Sequence, residues 1–177
     1  MREAALFYSH PEVLVKDPVS GRMIMSPTFS SEHGPMWGGG TFQQQLIWQL
    51  FTDVIEAATI LNVDTDLRNT LTGLLPKLSD EGSIGPVPIG ANSGRTGGIG
   101  GGASAANAPG VKEWWWETSY YTTAAGAIPN TQSNHRHLSH LVGLYPGNLI
   151  TKDMTEWMQA AKNSLNIRGD DATGWSR

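Results

Sequence analysis

Apolar residues recur at three- and four-residue spacing over one long stretch: Leu46, Ile47, Leu50, Phe51, Val54, Ile55, Ala58 and Leu61. That period predicts an amphipathic helix from Thr41, a good N-cap, to about Asn62. Thr65 can cap a second helix with Leu67, Leu71, Leu74 and Leu75 inward, stopped at Pro76. The short link predicts two antiparallel helices, the unit of helical bundles and barrels. A third periodic run, Trp157, Ala160, Ala161 and Leu165, predicts a helix capped by Thr155. A shorter helix near the start is expected to turn Leu6 and Phe7 inward. His135 to Leu141 is expected to be helical behind Asn134, burying Leu138, Leu141 and Val142 and ending at Leu144-Tyr145-Pro146-Gly147.

The remaining stretches predict little regular structure. Met23-Ile24-Met25 and Ile84 to Pro88 read as extended. Asp17 to Gly21 is turn chemistry. Ser26 to Pro35 carries two prolines and a glycine and is expected to be irregular. Residues 90–110 are rich in Gly, Ala, Ser and Asn. They lack the Gly-Lys-Ser/Thr ending of a phosphate loop and read as a mobile surface loop. The fold class is therefore all-α, with helices in pairs and long loops between pairs.

Composition narrows the function. The chain has 177 residues, 39% apolar and 16% charged, which fits one globular domain. A formal charge of -4 without a basic patch argues against a nucleic-acid partner. There are no cysteines, so no disulfide framework and no zinc–thiolate site. No apolar run approaches membrane-spanning length, and Met1 opens no signal peptide.

Histidine and tryptophan are spent unevenly. Three of five histidines, His135, His137 and His140, fall within six positions around Arg136. His137 and His140 with a carboxylate have workable metal spacing, but His135 does not share their helical face and Arg136 is a poor neighbour for a cation. Hydrogen bonding to a polyhydroxylated ligand suits imidazole and guanidinium alike. Holding loops together is the plain structural alternative. Among seven tryptophans, Trp114, Trp115 and Trp116 are consecutive, so at least one ring points away from a core. Flat rings suit sugar C–H faces, although core filling explains large residues equally well. A glycosidase needs two carboxyl groups, one of them shielded so that it stays protonated. Glu32, Glu113, Glu117, Asp170 and Asp171 are candidates, and the residues alone do not rank them. Phe29, Met36 and Trp37 surround Glu32 in sequence and would raise its pKa by shielding it.

A resemblance goes further. His135 to Gly147, then Ala160-Ala161-Lys162 and Arg168-Gly169-Asp170-Asp171-Ala172-Thr173-Gly174-Trp175-Ser176, resemble glycoside hydrolase family 95, the inverting α-L-fucosidases. Ser26-Pro27-Thr28-Phe29-Ser30-Ser31-Glu32 is similar to that family's Ser-Pro-Ser-x-Ser-Pro-Glu segment. Leu50-Phe51 and Ile55 to Leu61 resemble the helix after it, and Glu113-Trp114 its Glu-Trp pair. The resemblance implies an (α/α)6 barrel and hydrolysis of α-L-fucosidic bonds, α-1,2-linked on oligosaccharides or glycans, by inversion. It implies Glu32 as general acid. It implies that His135, His137, Glu113, Trp114, Asp170 and Trp175 bind or support the sugar, with neither metal nor organic cofactor. A fucosylated glycan is then the expected partner, and a secreted or periplasmic location is expected for the full-length enzyme.

Departures set further expectations. Met1 to Phe7 resembles an internal helix of the family, and the family pattern continues beyond Arg177. Its water-activating Asp, in an Asp-Gly-Asn-Phe-Gly segment, is not in this sequence. Gln43 stands where the family usually has Asp. Residues 1–177 are therefore expected to be an inner piece of a catalytic domain, inactive alone, that packs on the remainder of that domain. An α-L-galactosidase of the same family, a non-catalytic sugar-binding remnant and a metal hydrolase are the competing readings.

Overall fold

The computed structural model describes residues 1–18, 20–30, 33–78, 84–86, 109–112 and 137–168. In chain order the elements are α1 (Arg2–Tyr8), β1 (Leu14–Lys16), β2 (Met23–Met25), β3 (Thr28–Ser30), β4 (His33–Trp37), α2 (Thr41–Leu61), α3 (Thr65–Leu74), β5 (Ile84–Pro86), β6 (Pro109–Val111) and α4 (Thr155–Arg168). One-turn 3-10 segments lie at Leu75–Lys77 and Ser139–Leu141. The regular structure is mainly helical. Among the described residues the strands form three two-stranded antiparallel ladders, β1–β2, β3–β4 and β5–β6.

The principal core gathers on α2. Ile47, Phe51 and Val54 pack with Ala5, Leu14, Leu67, Leu71 and Leu78, all buried. The predicted apolar stripe is thus right in its centre and too wide at its edges. Leu46 is 44% exposed and Leu61 is 69% exposed. In α1 the stripe is displaced: Ala5 is buried while Leu6 and Phe7 are exposed. Ala5 and Tyr8 are three apart and share the face that meets the core. The small side chain lets α1 approach α2 closely, and Phe7 packs edge-on against Tyr8 instead.

α2 begins after Gly40 rather than at a capping Thr41, which is itself fully buried. It ends at Asn62 in the left-handed conformation, where the Val63 N–H donates to the Ala58 carbonyl. Asp64 is also left-handed and precedes α3. This three-residue link brings α3 onto α2. At the same corner Arg2 Nε donates to Asp64 Oδ1 at 3.0 Å, tying α1 to the link. The Asp64 hydrogen bond, and after it the one to Glu3, raise the Arg2 pKa above its ordinary value.

Ser26 to Pro35, expected to be irregular, instead contributes β3 and β4, with Thr28 opposite Trp37 and Ser30 opposite His33. Each strand of a two-stranded ladder is an edge, which is where a proline such as Pro35 is tolerated. A second core joins Val111, Leu141, Ala160 and Ala161. There α4 lies on β6 through small residues. Ser164 is buried, its Oγ accepting from Val111 N at 2.8 Å and donating to Val111 O at 3.3 Å. Leu165, expected inward, is 41% exposed. The Gly-rich residues 90–108 and the tryptophan run lie outside the described residues.

Candidate functional site

The first turn of α2 holds three consecutive glutamines, Gln43, Gln44 and Gln45. Successive positions on a helix point about 100° apart, so three identical side chains reach three different segments. Gln43 Nε2 donates to the Phe29 carbonyl of β3. Gln44 clasps β2: its Oε1 accepts from Met25 N at 2.8 Å and its Nε2 donates to Met23 O at 3.1 Å. Gln45 clasps the histidine segment: its Oε1 accepts from Gly143 N at 2.8 Å and its Nε2 donates to His140 O at 3.1 Å.

The Gln45 contacts explain why the histidine segment departs from its predicted helix. Inside an α-helix the Gly143 N–H would donate to Ser139 O, and His140 O would accept from Leu144 N. Here Ser139 O accepts from Val142 N at 3.1 Å and Leu144 N donates to Leu141 O at 2.9 Å. These tighter bonds leave the Gly143 N–H and the His140 carbonyl to the Gln45 carboxamide. The chain therefore makes one 3-10 turn, entered through Leu138 at φ -114 and ψ 37. Gly143 allows the close approach: a Cβ there would sit 3.1 Å from Gln45 Cδ and Oε1.

His137 lies just before this turn and is half-buried, while His140 within the turn is buried. Among the predicted site residues, His137 alone is within the described residues. Glu32, His135, Glu113, Trp114, Asp170 and Trp175 lie outside them, as do Glu117 and Asp171. Phe29, expected to shield Glu32, is 51% exposed. Among the described residues no cluster of three His, Cys, Asp or Glu side chains is placed to hold a metal ion.

Beside the glutamines opens a cleft of about 370 Å³, lined by Gln44, Gln45, Trp48, Leu78, Ile150 and Trp157 among others. Its polar rim is largely consumed, since both carboxamides are already hydrogen-bonded to backbone. It is bounded by α2, the chain after α3, and the start of α4. Sequence reasoning singled out Gln43 only as a departure from the family pattern, and it missed both the anchoring by the three glutamines and this cleft. The one available signal was three long amides in a row at a helix start, where a solvated face would be the ordinary reading.

The chain matches the glycosyl hydrolase family 95 catalytic domain over residues 1–88 and 103–177. It is 30% identical to the probable alpha-fucosidase A of Aspergillus niger over 181 residues, covering 93% of this chain and 18% of that protein. With the probable alpha-fucosidase A of Aspergillus oryzae it shares 33% identity over 129 residues, 72% of this chain and 14% of that protein. With alpha-L-fucosidase 2 of Arabidopsis thaliana it shares 26% over 137 residues, 77% and 13%. The chain thus spans less than a fifth of the length of these curated relatives.

Proposed function

The chain belongs to glycosyl hydrolase family 95, and from that premise we propose that it serves as part of an enzyme hydrolysing α-L-fucosidic bonds in oligosaccharides or glycans. One observation carries the reading. The family match takes in the Glu32 segment, the His135–His140 segment and the Asp170–Trp175 segment together. The anchoring supports it: Gln43 binds Phe29, three residues before Glu32, and Gln45 binds His140, three residues after His137. Both segments are therefore tied to a single helical turn.

In this reading Glu32 is the general acid that protonates the leaving oxygen. A carboxylate from elsewhere in the catalytic domain activates water on the opposite face of the sugar. Such single displacement inverts the anomeric centre and needs about 6.5–9.5 Å between the two carboxyl groups to admit the water. His135, His137 and Asp170 hydrogen-bond the sugar, Glu113 supports them, and Trp114 and Trp175 offer faces to its C–H groups. α-1,2-linked fucose is the proposed substrate. The helices take their place in an (α/α)6 barrel completed by further chain.

Replacing Glu32 with Gln in the full-length enzyme keeps the shape of the side chain and removes its proton. The reading requires that turnover of an α-1,2-fucosylated oligosaccharide, whose alkoxide leaving group needs a proton, fall by about two to four orders of magnitude while L-fucose binding persists. Near-normal turnover in that variant refutes it. The 177-residue chain alone is expected to release no fucose, because it lacks the family's water-activating segment.

A further inference from the structure

We propose that Gln43 and Gln45 are positioning residues with separable tasks: Gln43 sets the acid-bearing segment, and Gln45 sets the sugar-binding histidine segment. The proposal rests on the α-fucosidase reading and adds to it two residues that touch neither sugar nor reacting atoms. Each contact is built from both sides. Gln45 lies 8% exposed, and both ends of its carboxamide are used, one by Gly143 N and one by His140 O. An added Cβ on Gly143 would come within 3.1 Å of that carboxamide. Gln43 gives its N–H to the Phe29 carbonyl, and its Oε1 is buried over Gly40. A Cβ on Gly40 would overlap Gln43 Oε1 and approach Thr28 Oγ1 at 2.9 Å. Gly40 thus shares with Gly143 the lack of room for a Cβ beside a glutamine carboxamide, although only Gly143 also hydrogen-bonds to its glutamine.

Chemistry fixes the residue type at Gln45 and requires a donor at Gln43, whose buried Oε1 meets no hydrogen-bond partner among the described residues. Phe29 O and His140 O accept only, so a donor must face them; Gly143 N donates only, so an acceptor must face it. A carboxamide supplies both from one short planar group. Neither glutamine carries charge, so neither competes electrostatically with Glu32 for its proton. The two side chains leave α2 in different directions, and the two segments they hold are separate in sequence. Displacing one therefore need not displace the other.

The test compares Gln45→Met, Gly143→Ala, Gln43→Met and Gly40→Ala with the unchanged protein in its full natural length. An α-1,2-fucosylated oligosaccharide is the probe, Glu32→Gln the reference, and thermal melting is recorded for each. Gln45→Met and Gly143→Ala are expected to raise KM about tenfold or more with kcat changed less than about threefold, since misplacing a binding group weakens capture. Gln43→Met and Gly40→Ala are expected to lower kcat about tenfold or more, hold KM, and move the basic limb of the pH–rate profile, which reports the acid. A merely structural role would lower the melting temperature without this split. If either member of a pair does not fold, the other member tests the same contact. Equal effects on KM and kcat from both pairs, or no effect from either, overturn the proposal. Normal turnover in Glu32→Gln instead overturns the assignment of Glu32 as the acid, and with it the task given to Gln43; no fucose release by the unchanged full-length protein overturns the fucosidase reading on which the proposal rests.

Discussion

Phe51 is the largest fully buried side chain of the principal core. It is fully buried, at the centre of the cluster formed by Ala5, Leu14, Ile47, Val54, Leu67, Leu71 and Leu78. Phe51→Ala removes a ring from a buried cluster to which α1, β1 and α3 also contribute, and close-packed surroundings cannot collapse fully into the space. Large-to-small changes of this kind cost about 3–5 kcal/mol. A domain of this size has a total stability of about 5–15 kcal/mol, so a fifth or more would be lost. At about 2–4 °C per kcal/mol the melting temperature should fall by roughly 6–20 °C. Leu46→Ala is the control, because the same apolar periodicity points both residues inward while the structure leaves Leu46 44% exposed. It should cost under about 1 kcal/mol. Urea unfolding followed by circular dichroism gives both values, provided the slope against denaturant is unchanged. A loss below about 1 kcal/mol for Phe51→Ala, or equal losses for the two variants, would refute the assignment of this core.

Two further substitutions probe the packing of α4 and the helix α3. Ser164→Ala strips the buried Val111 N–H of its 2.8 Å acceptor and should destabilise by about 1–3 kcal/mol in chemical denaturation. Gly73→Ala should stabilise by about 0.5–1 kcal/mol in the same assay, since Gly73 lies in helix α3 and an added Cβ would meet nothing within 4 Å.

What the sequence made legible follows from what determines each element. α2 and α3 declare themselves through apolar periodicity, and the residues at the middle of each stripe, Phe51 and Leu71, are the most buried. Periodicity gives the direction of a face but not its width. That width depends on how many neighbours are present, hence the misassigned Leu46 and Leu61. In α4 it was Ser164, not Leu165, that turned inward, because a hydroxyl could bond the Val111 backbone at close range. The histidine segment had helical spacing, yet a side chain 95 residues away in sequence captured the His140 carbonyl. No local pattern encodes such a tertiary bond. The β3–β4 ladder was hidden by prolines that forbid central strands and tolerate edges. As for the proposed site, Glu32 and the histidine cluster stood out as candidates by their chemistry, whereas the glutamines bonded to Phe29 and His140 became visible only through their hydrogen bonds.

The central claim is that Glu32 and His137 face one sugar pocket. A crystal structure of the full-length protein with L-fucose bound tests it most directly. The account predicts the Glu32 carboxyl group beside the anomeric oxygen and the His137 ring within hydrogen-bonding reach of the same sugar. Finding the two side chains on opposite faces of the molecule, with the sugar held by neither, would contradict it.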